Sequence, residues 1–236
     1  MNLILLSPED FTGPKTVRLE GRRCRHISGV HRAAAGRTLC VGLKNGRIGS
    51  GTVTSIKELF VEMEVSLDRD PPEPQRITLI LGLPRPKVLR RVLFSAAVMG
   101  IKKIYFLNSF RVEKSFWLSP LVSDESIRMQ LELGLEQARD TVMPEVFLRP
   151  LFKPFVEDEL PGLTRDTLAF AAHPYAESCF PHGLAGPSAV AIGPEGGFID
   201  YEINKLAEAG FKPVNLGKRV MNIEAAVPYC VSRLTP

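Results

Sequence analysis

A glycine-rich turn occupies residues 193–197, where the chain reads Gly-Pro-Glu-Gly-Gly and continues with Phe198. The apolar run Ala189–Ile192 precedes this turn, and an amphipathic stretch begins near Asp200. Glycines at these positions allow the backbone to adopt positive φ values and to approach a ligand closely. Such a turn between a strand and a helix presents backbone N–H groups to a small molecule, although it also serves as a plain tight corner.

A second segment follows at residues 214–226 and reads Val-Asn-Leu-Gly-Lys-Arg-Val-Met-Asn-Ile-Glu-Ala-Ala. Together the two segments resemble the RsmE family of rRNA methyltransferases, whose pattern is roughly I-G-P-E-G-G-F and then L-G-x-R-[IV]-L-R-T-E-T-A. Blocks at residues 26–32, 81–104 and 136–144 are also similar to this family. The chain departs from the pattern at residues 222–226, which lack the arginine and both threonines of R-T-E-T-A.

The resemblance implies a SPOUT-type α/β domain with a trefoil knot at residues 75–236 and a small PUA-like β-barrel at residues 1–70. In the SPOUT fold, three loops after the last strands form a pocket for S-adenosylmethionine (SAM). For Glu195 an alternative stays open, in which the carboxylate braces the loop by accepting hydrogen bonds from backbone N–H groups. The residues that the resemblance assigns to SAM are Ala172, His173, Gly193, Pro194, Glu195, Gly196, Gly197, Leu216, Gly217, Val220, Met221 and Ile223.

The resemblance also implies a reaction, because RsmE-type enzymes methylate N3 of a uridine in small-subunit (16S) rRNA. N3 carries an imide proton, so the site must remove that proton or stabilise the resulting anion. The matching catalytic residues are Arg219, Asn222 and Glu224. Asn222 stands where the family has an arginine and offers hydrogen bonds without charge. In one alternative, Arg219 or a basic residue of the Arg85–Arg91 turn supplies that charge instead. Glu224 either acts as a base or stabilises the N-terminus of a helix, where a carboxylate is favoured.

Two stretches of the chain are strongly basic. Between Lys15 and Arg47 there are nine Lys and Arg residues against one acid, and between Arg85 and Lys114 eight against one. A single run of this kind is often only a solvated surface, but two predict a basic face that binds a polyanion such as RNA. For His26 and Arg32, packing beneath the N-terminal barrel is the alternative. The residues assigned to RNA are Arg22, Arg23, Arg25, His26, Arg32, Arg85 and Lys87.

The composition is that of an ordinary globular protein, since 44% of the 236 residues are hydrophobic and 24% are charged. No stretch is apolar over the length that a transmembrane helix needs. The short apolar start runs into Pro8 and is interpreted as a first strand and not as a signal peptide. Four scattered cysteines without a C-x-x-C pair indicate reduced thiols in a cytoplasmic protein and predict no metal site.

The proline-rich segment Asp68–Gln75 predicts a linker between two domains, because prolines favour extended backbone and cannot donate to a sheet. Before it, Thr38–Leu43 and Ile48–Ile56 read as strands that flank Asn45-Gly46, a dipeptide suited to a type I′ hairpin turn. Leu59–Leu67 continues the alternation of apolar and polar residues. Five or so short strands with one helix near Arg22–Val30 indicate a small barrel.

Beyond the linker, strands alternate with helices, which predicts a parallel α/β domain. Pro228 falls inside the last helix and is expected to disturb it. The predicted strands are Ile77–Leu83, Ile104–Leu107, Thr167–Ala172, Ser188–Ile192 and Val214–Leu216, and the predicted helices are Lys87–Gly100, Asp124–Thr141, Tyr201–Ala209 and Ile223–Arg233.

These observations predict a SAM-dependent rRNA (uracil-N3) methyltransferase that acts on the small ribosomal subunit. The family resemblance alone implies that it is a homodimer. One alternative is a divergent RNA-binding homologue with an altered substrate or no catalysis, motivated by the missing side chains near Asn222. Another is a nucleotide-binding α/β enzyme of a different kind, which the absence of G-x-G-x-x-G and G-x-x-x-x-G-K-[ST] disfavours.

Overall fold

The computed structural model describes residues 2–184 and 186–235, and the chain divides into two compact units. The first unit comprises Met1–Glu73 and Glu132–Met143, and the second comprises Pro74–Leu131 and Pro144–Pro236. The boundary at residue 73 falls within the predicted linker. Strands continue to Arg69 and resume at Gln75, so the irregular connection is shorter than the predicted Asp68–Gln75.

Five strands of the first unit form one sheet, with β1 parallel to β3 and the other neighbours antiparallel. Their order is β1-β3-β4-β5-β2. A short helix follows β2, and its Cys24, together with Ile27 in the next turn, packs with side chains from all five strands in one apolar core. The elements are β1 (Ile4–Leu6), β2 (Thr16–Glu20), β3 (Thr38–Leu43), β4 (Ile48–Ile56), β5 (Phe60–Arg69) and α1 (Gly21–Arg25), with single helical turns at Pro8–Asp10 and His26–Val30.

The hairpin between β3 and β4 has the predicted strands, but its predicted type I′ turn is wrong. That turn requires positive φ at both central residues, whereas Asn45 has φ 56° and Gly46 is not in the left-handed region. Contacts with the segment after α4 (Asp124–Ala138) explain the difference. Asn45 N donates to Thr141 O at 2.8 Å, and Asn45 Oδ1 accepts from Met143 N at 2.8 Å. These tertiary contacts select a different turn.

The second unit is built on a six-stranded sheet in which all neighbours are parallel. The strand order is β11-β9-β10-β6-β7-β8, and helices alternate with the strands along the chain. This confirms the predicted α/β class. The strands are β6 (Gln75–Gly82), β7 (Ile101–Leu107), β8 (Glu145–Arg149), β9 (Leu168–Ala172), β10 (Ser188–Ile192) and β11 (Lys212–Val214), and the helices are α2 (Pro86–Val98), α3 (Lys114–Trp117), α4, α5 (Phe152–Pro154), α6 (Leu160–Thr164), α7 (Asp200–Glu208) and α8 (Ile223–Leu234).

Strand β10 lies inside the sheet, and all five of its residues are buried. Its continuous apolar run, which predicted a buried parallel strand, is therefore explained by covered faces on both sides. The last strand was predicted at Val214–Leu216, but it ends at Val214, so Leu216 belongs to the following loop. Strand β8 and helices α5 and α6 were not predicted. Among the described residues, no helix is long and apolar enough to cross a membrane.

Gly49 in β4 offers a direct test of the packing of the first unit. A Cβ at this position would overlap the Ser66 carbonyl oxygen, whereas a Cβ at Gly29 would have no neighbour within 4 Å. We expect Gly49→Ala to lower the free energy of unfolding by about 1–3 kcal/mol or more. Gly29→Ala is the matched control and should stay within about 0.5 kcal/mol of the wild type. Urea unfolding of both variants decides, and equal stabilities would contradict the observed strand contact.

Candidate active site

Three loops of the second unit lie at one edge of its sheet. Strands β11, β9 and β10 are direct neighbours and run parallel, so their carboxyl ends meet at the same edge. Ala172 ends β9 and His173 follows it, the glycine turn 193–197 follows β10, and residues 215–222 follow β11. The structure thus brings together the three segments that were predicted to hold the cofactor, although they are far apart in the chain.

The glycine turn folds back on itself, and this leaves no room for a side chain at its first position. A Cβ on Gly193 would lie 2.6 Å from the backbone nitrogen of Phe198. Gly197 has φ 73° and donates its N–H to Pro194 O at 2.8 Å. Gly193 is needed for close backbone approach, and Gly197 for the left-handed conformation. Both requirements arise from the turn itself.

Neighbouring segments hold the glycine turn from outside. Glu195 Oε1 accepts a hydrogen bond from Arg85 N, the residue before α2, at 3.0 Å. Arg111, in the loop after β7, donates from Nη1 to the Gly196 carbonyl oxygen. The end of β6 is equally close, since a Cβ on Gly82 would overlap Pro194. The contacts of Glu195 are those of the bracing alternative, and its direct role toward a cofactor stays a prediction.

Glu202 fixes the other end of this region and was not recognised from the sequence. Its side chain is buried in the first turn of α7, with 3% of the residue exposed. Oε1 accepts from Phe110 N at 2.7 Å, and Oε2 accepts from Ile199 N at 3.0 Å. One carboxylate therefore fastens the loop after β7 to the chain that leaves the glycine turn. An acid three residues into a predicted helix was the available signal, because it can reach back to the helix N-terminus.

Asn215 joins the loops after β9 and β11. Its Nδ2 donates to Ala176 O at 2.8 Å and to Ser178 O at 3.1 Å, and its Oδ1 accepts from Gly217 N at 3.1 Å. His173 adds a backbone hydrogen bond, from its N to Val214 O at 2.9 Å. The sequence analysis named the residues on either side of this amide but not Asn215 itself. Its position directly before Leu216-Gly217 was the only signal.

The loop after β11 combines an apolar and a basic part. Leu216 and Met221 are half-buried, Ile223 is buried, and Val220 is 83% exposed. Gly217 has φ 114°, which a side chain would oppose. Lys218 and Arg219 are exposed and make no ion pair within the described part of the chain. The loop therefore offers apolar surface and unpaired positive charge beside the glycine turn.

Asn222 and Glu224 begin helix α8 and have different partners. Asn222 is the N-cap, and its Oδ1 accepts from Ala225 N at 2.9 Å. The capping role considered for Glu224 thus belongs to Asn222. Glu224 instead forms an ion pair with Arg91 of α2, with 2.9 Å between Oε1 and Nη1. No ion pair joins the predicted catalytic residue Arg219 to Glu224 in the described chain, and Arg91 belongs to the basic Arg85–Arg91 turn that was the alternative source of charge.

A cavity of about 630 Å³ lies between α2, α4 and α8, next to this ion pair. We call it the α2–α8 cleft. Its polar lining comprises Lys87, Arg90, Arg91, Ser95, Gln130 and Glu224, and its apolar lining includes Phe94, Val227 and Pro228. All of these residues belong to the second unit. The cleft is large enough for a small molecule or part of a polymer.

The predicted RNA-binding arginines of the first unit fall into two groups. Arg22 forms two hydrogen bonds with the buried carboxylate of Glu136, which raises the pKa of Arg22. Arg23 is bound to Asp10 and to Leu5 O. Both guanidinium groups therefore have structural partners, which the local sequence did not reveal. Arg25 and Arg32 are exposed and have no acidic partner among the described residues.

His26 is half-buried in the first unit and packs edge-on against His31. Burial lowers the pKa of His26, so its ring is neutral at pH 7. A neutral imidazole brings no charge to a phosphate, and Nε2 has no hydrogen-bond partner in the described chain. These observations match the alternative in which His26 packs within the unit. Among the described residues, no group of three or more His, Cys, Asp or Glu side chains could hold a metal ion.

Comparison with known proteins decides the family. Residues 71–235 match the family model described as an RNA methyltransferase domain. This chain belongs to that family. A ribosomal RNA small subunit methyltransferase E of Treponema pallidum is 27% identical to it over 232 residues, which cover 96% of this chain and 87% of the relative. A methyltransferase E 2 of Borreliella burgdorferi is 22% identical, with 98% and 96% covered.

Solved structures share the fold of this chain. The ribosomal RNA small subunit methyltransferase E of Neisseria gonorrhoeae, crystallised with SAM, superposes with a TM-score of 0.78 at 20% identity, covering 98% of this chain and 95% of that one. A SAM complex of a Legionella pneumophila methyltransferase gives 0.73 at 21% identity, with 98% and 95% covered. The predicted membership of the RsmE family is confirmed by these matches together.

The cap of α8 gives a test of the local geometry. We expect Asn222→Ala to lower the stability of the helix by about 0.5–2 kcal/mol, because the Ala225 N–H loses its acceptor. Asn222→Asp is the control, since an aspartate caps as well as an asparagine. Hydrogen–deuterium exchange of a peptide spanning residues 222–230 should accelerate in the alanine variant only. Equal exchange in both variants would contradict the assigned cap.

Proposed function

We propose that this RNA methyltransferase transfers a methyl group from SAM to N3 of a uridine in 16S rRNA. The glycine turn carries the proposal, because it is fixed at the carboxyl end of a buried parallel strand in a chain of this family. Relatives over nearly its whole length are named as small-subunit rRNA methyltransferases. The rRNA of the small subunit is therefore the substrate that we assign.

The loops at the sheet edge fit SAM. SAM supplies an electrophilic methyl group when it is bound. Backbone groups of residues 193–197 and 216–221 would hold its adenine and ribose, and the side chains of Leu216, Val220 and Met221 would provide apolar contacts. Ala172 and His173 complete the assigned set. Gly197 supports this fit, because nothing lies within 4 Å of where its Cβ would be and its backbone is open on that side.

We assign removal of the N3 proton to the residues at the start of α8. Glu224 is the assigned base, and the guanidinium of Arg91 orients its carboxylate. Asn222 acts by capping the helix that presents Glu224. The positive charge that the family pattern places at position 222 would come from Arg91 or from the exposed Arg219, either of which can stabilise a developing anion.

The finer architectural assignments rest on the family resemblance. We assign a PUA-like barrel to residues 1–70 and a trefoil-knotted SPOUT domain to residues 75–236. The unit boundary after Glu73 supports this division, but Glu132–Met143 belongs to the first compact unit and departs from it. A homodimer and a cytoplasmic location complete the proposal. The location is supported by an rRNA substrate and by cysteines that lack disulfide spacing, two of which, Cys24 and Cys230, are buried.

A second candidate is a homologue that binds RNA but has changed its target or lost catalysis. One observation favours it. The polar side chains at the start of α8 are engaged within the protein, Asn222 as a cap and Glu224 in an ion pair. Single-turnover methylation of unmethylated small subunits separates the two candidates, because only the first predicts transfer of a labelled methyl group to uridine.

Gly193→Ala tests the cofactor site. Its Cβ would force the turn away from Phe198, so we expect the affinity for SAM to fall about tenfold or more. Gly162→Ala is the matched control in the same unit, because a Cβ there would have no neighbour within 4 Å. Isothermal titration calorimetry measures both. Wild-type affinity in a folded Gly193→Ala variant would place the cofactor elsewhere.

The first unit yields a test for RNA binding. Loss of the exposed charges in Arg25→Gln/Arg32→Gln should lower the slope of log affinity against log salt by about 1.4, or 0.7 for each phosphate contact on single-stranded RNA. Lys57→Gln/Arg69→Gln removes two other exposed charges and should leave the slope unchanged. Arg22→Gln should mainly lower the melting temperature, because it breaks the pair with Glu136. If all three had the wild-type slope, the first unit would not contact phosphates through these side chains.

A further inference from the structure

The positively charged side chains that line the α2–α8 cleft outnumber the negatively charged ones. Lys87, Arg90 and Arg91 line it together with a single carboxylate, that of Glu224. Glu224 is paired with Arg91 at 2.9 Å. Neither Lys87 nor Arg90 has an acidic partner among residues 2–184 and 186–235. Two unpaired cations in a concave site attract an anion more strongly than the same charges on a flat surface.

Gln130 of α4 also points to a ligand in this cleft. The residue is only 7% exposed and lines the cavity, yet its side-chain amide forms no hydrogen bond with any described residue. Its amide atoms are not among the fully buried side-chain atoms without a partner in the described chain, so the amide is open to the cavity and available to a ligand. A donor and an acceptor lie side by side in this amide. The amide therefore suits a ligand that offers the complementary pair.

We propose that the α2–α8 cleft binds one nucleotide of the RNA substrate, an inference that rests on the proposed function. Lys87 and Arg90 contact its phosphate. The amide of Gln130 donates to a carbonyl oxygen of the base, which leaves N3 of a uracil free for methylation. The Phe94 ring and Val227 provide apolar contacts for the flat faces of the base.

The positive charge of the cleft also favours binding of a nucleotide there over binding of the cofactor. SAM carries a positive sulfonium, which two unpaired cations would repel, whereas a phosphodiester is attracted to them. Glu224 connects the nucleotide site with the cofactor site, because it lines the cleft and lies in the first turn of the helix that follows the cofactor loop. Arg91 is its ion-pair partner. A nucleotide in the cleft is thereby held next to the assigned base.

Charge removal tests the phosphate contacts. We would measure binding of a fluorescein-labelled oligouridylate by anisotropy at several salt concentrations, using the full chain. Lys87→Gln/Arg90→Gln should lower the salt slope by about 1.4. Arg76→Gln/Lys212→Gln removes the same charge from exposed positions of the same unit and should keep the wild-type slope. Equal slopes for the two double variants would overturn the proposal.

Gln130→Leu tests the base contact without changing charge. RNA affinity should fall roughly 2- to 10-fold for each hydrogen bond lost, while the salt slope stays constant. The melting temperature of the free protein should stay close to that of the wild type, because the side-chain hydrogen bonds of the described residues include none from this amide. A purely structural glutamine would give the opposite pattern, a lower melting temperature with unchanged affinity, and that result would overturn the assignment.

Two further measurements separate failure of this inference from failure of the proposed function. SAM binding and single-turnover methylation of small subunits are measured on the same samples. A wild type without either activity would refute the proposed function. An active wild type with a normal Lys87→Gln/Arg90→Gln variant would refute only the cleft. If that variant changed dimer dissociation in sedimentation while its salt slope stayed normal, a second copy of the chain would occupy the cleft, which also refutes the proposal.

Discussion

The close approach of backbone segments at Gly193 is the constraint on which the candidate site depends. No side chain fits there, because the nitrogen of Phe198 lies where a Cβ would be. Gly82 imposes the same condition on the neighbouring strand end, against Pro194. Because neither glycine has a side chain, the backbone segments at the ends of β6 and β10 can approach closely. The turn is therefore packed closely against its neighbours.

Three carboxylates around this surface have partners within the protein. Glu195 binds the residue before α2, Glu202 binds the loop after β7, and Glu224 binds Arg91. Four basic side chains near this surface have no acidic partner in the described chain, namely those of Lys87, Arg90, Lys218 and Arg219. These carboxylates are paired within the protein, whereas the four basic side chains are not. The electrostatic potential at the site is therefore positive. Such a field attracts a polyanion and raises its association rate.

The sequence was informative where a pattern reports directly on backbone or burial. The apolar run of β10 and the glycine turn after it predicted a buried strand and a close approach, and both are observed. Long-range partners could not be predicted in this way. Nothing near Arg22 indicates that Glu136 will bind it, because that contact depends on how distant segments pack. For the same reason Arg111 and Asn215 were missed, although each fixes part of the site, and Arg91 was anticipated only as one member of the basic Arg85–Arg91 turn.

The departures from the family pattern at the start of α8 have a structural explanation. Asparagine is among the best N-cap residues, whereas arginine cannot accept a hydrogen bond from the helix. The cap matters here because Pro228 has no N–H to donate to the Glu224 carbonyl, which weakens the first turns of the helix. Ile223 adds buried apolar contact at the same end. The segment thus favours stability of the helix, while Arg91 of α2 brings a positive charge to Glu224. Helix α8 thus has the stabilising N-cap and helix α2 provides the positive charge, and these two helices pack against each other.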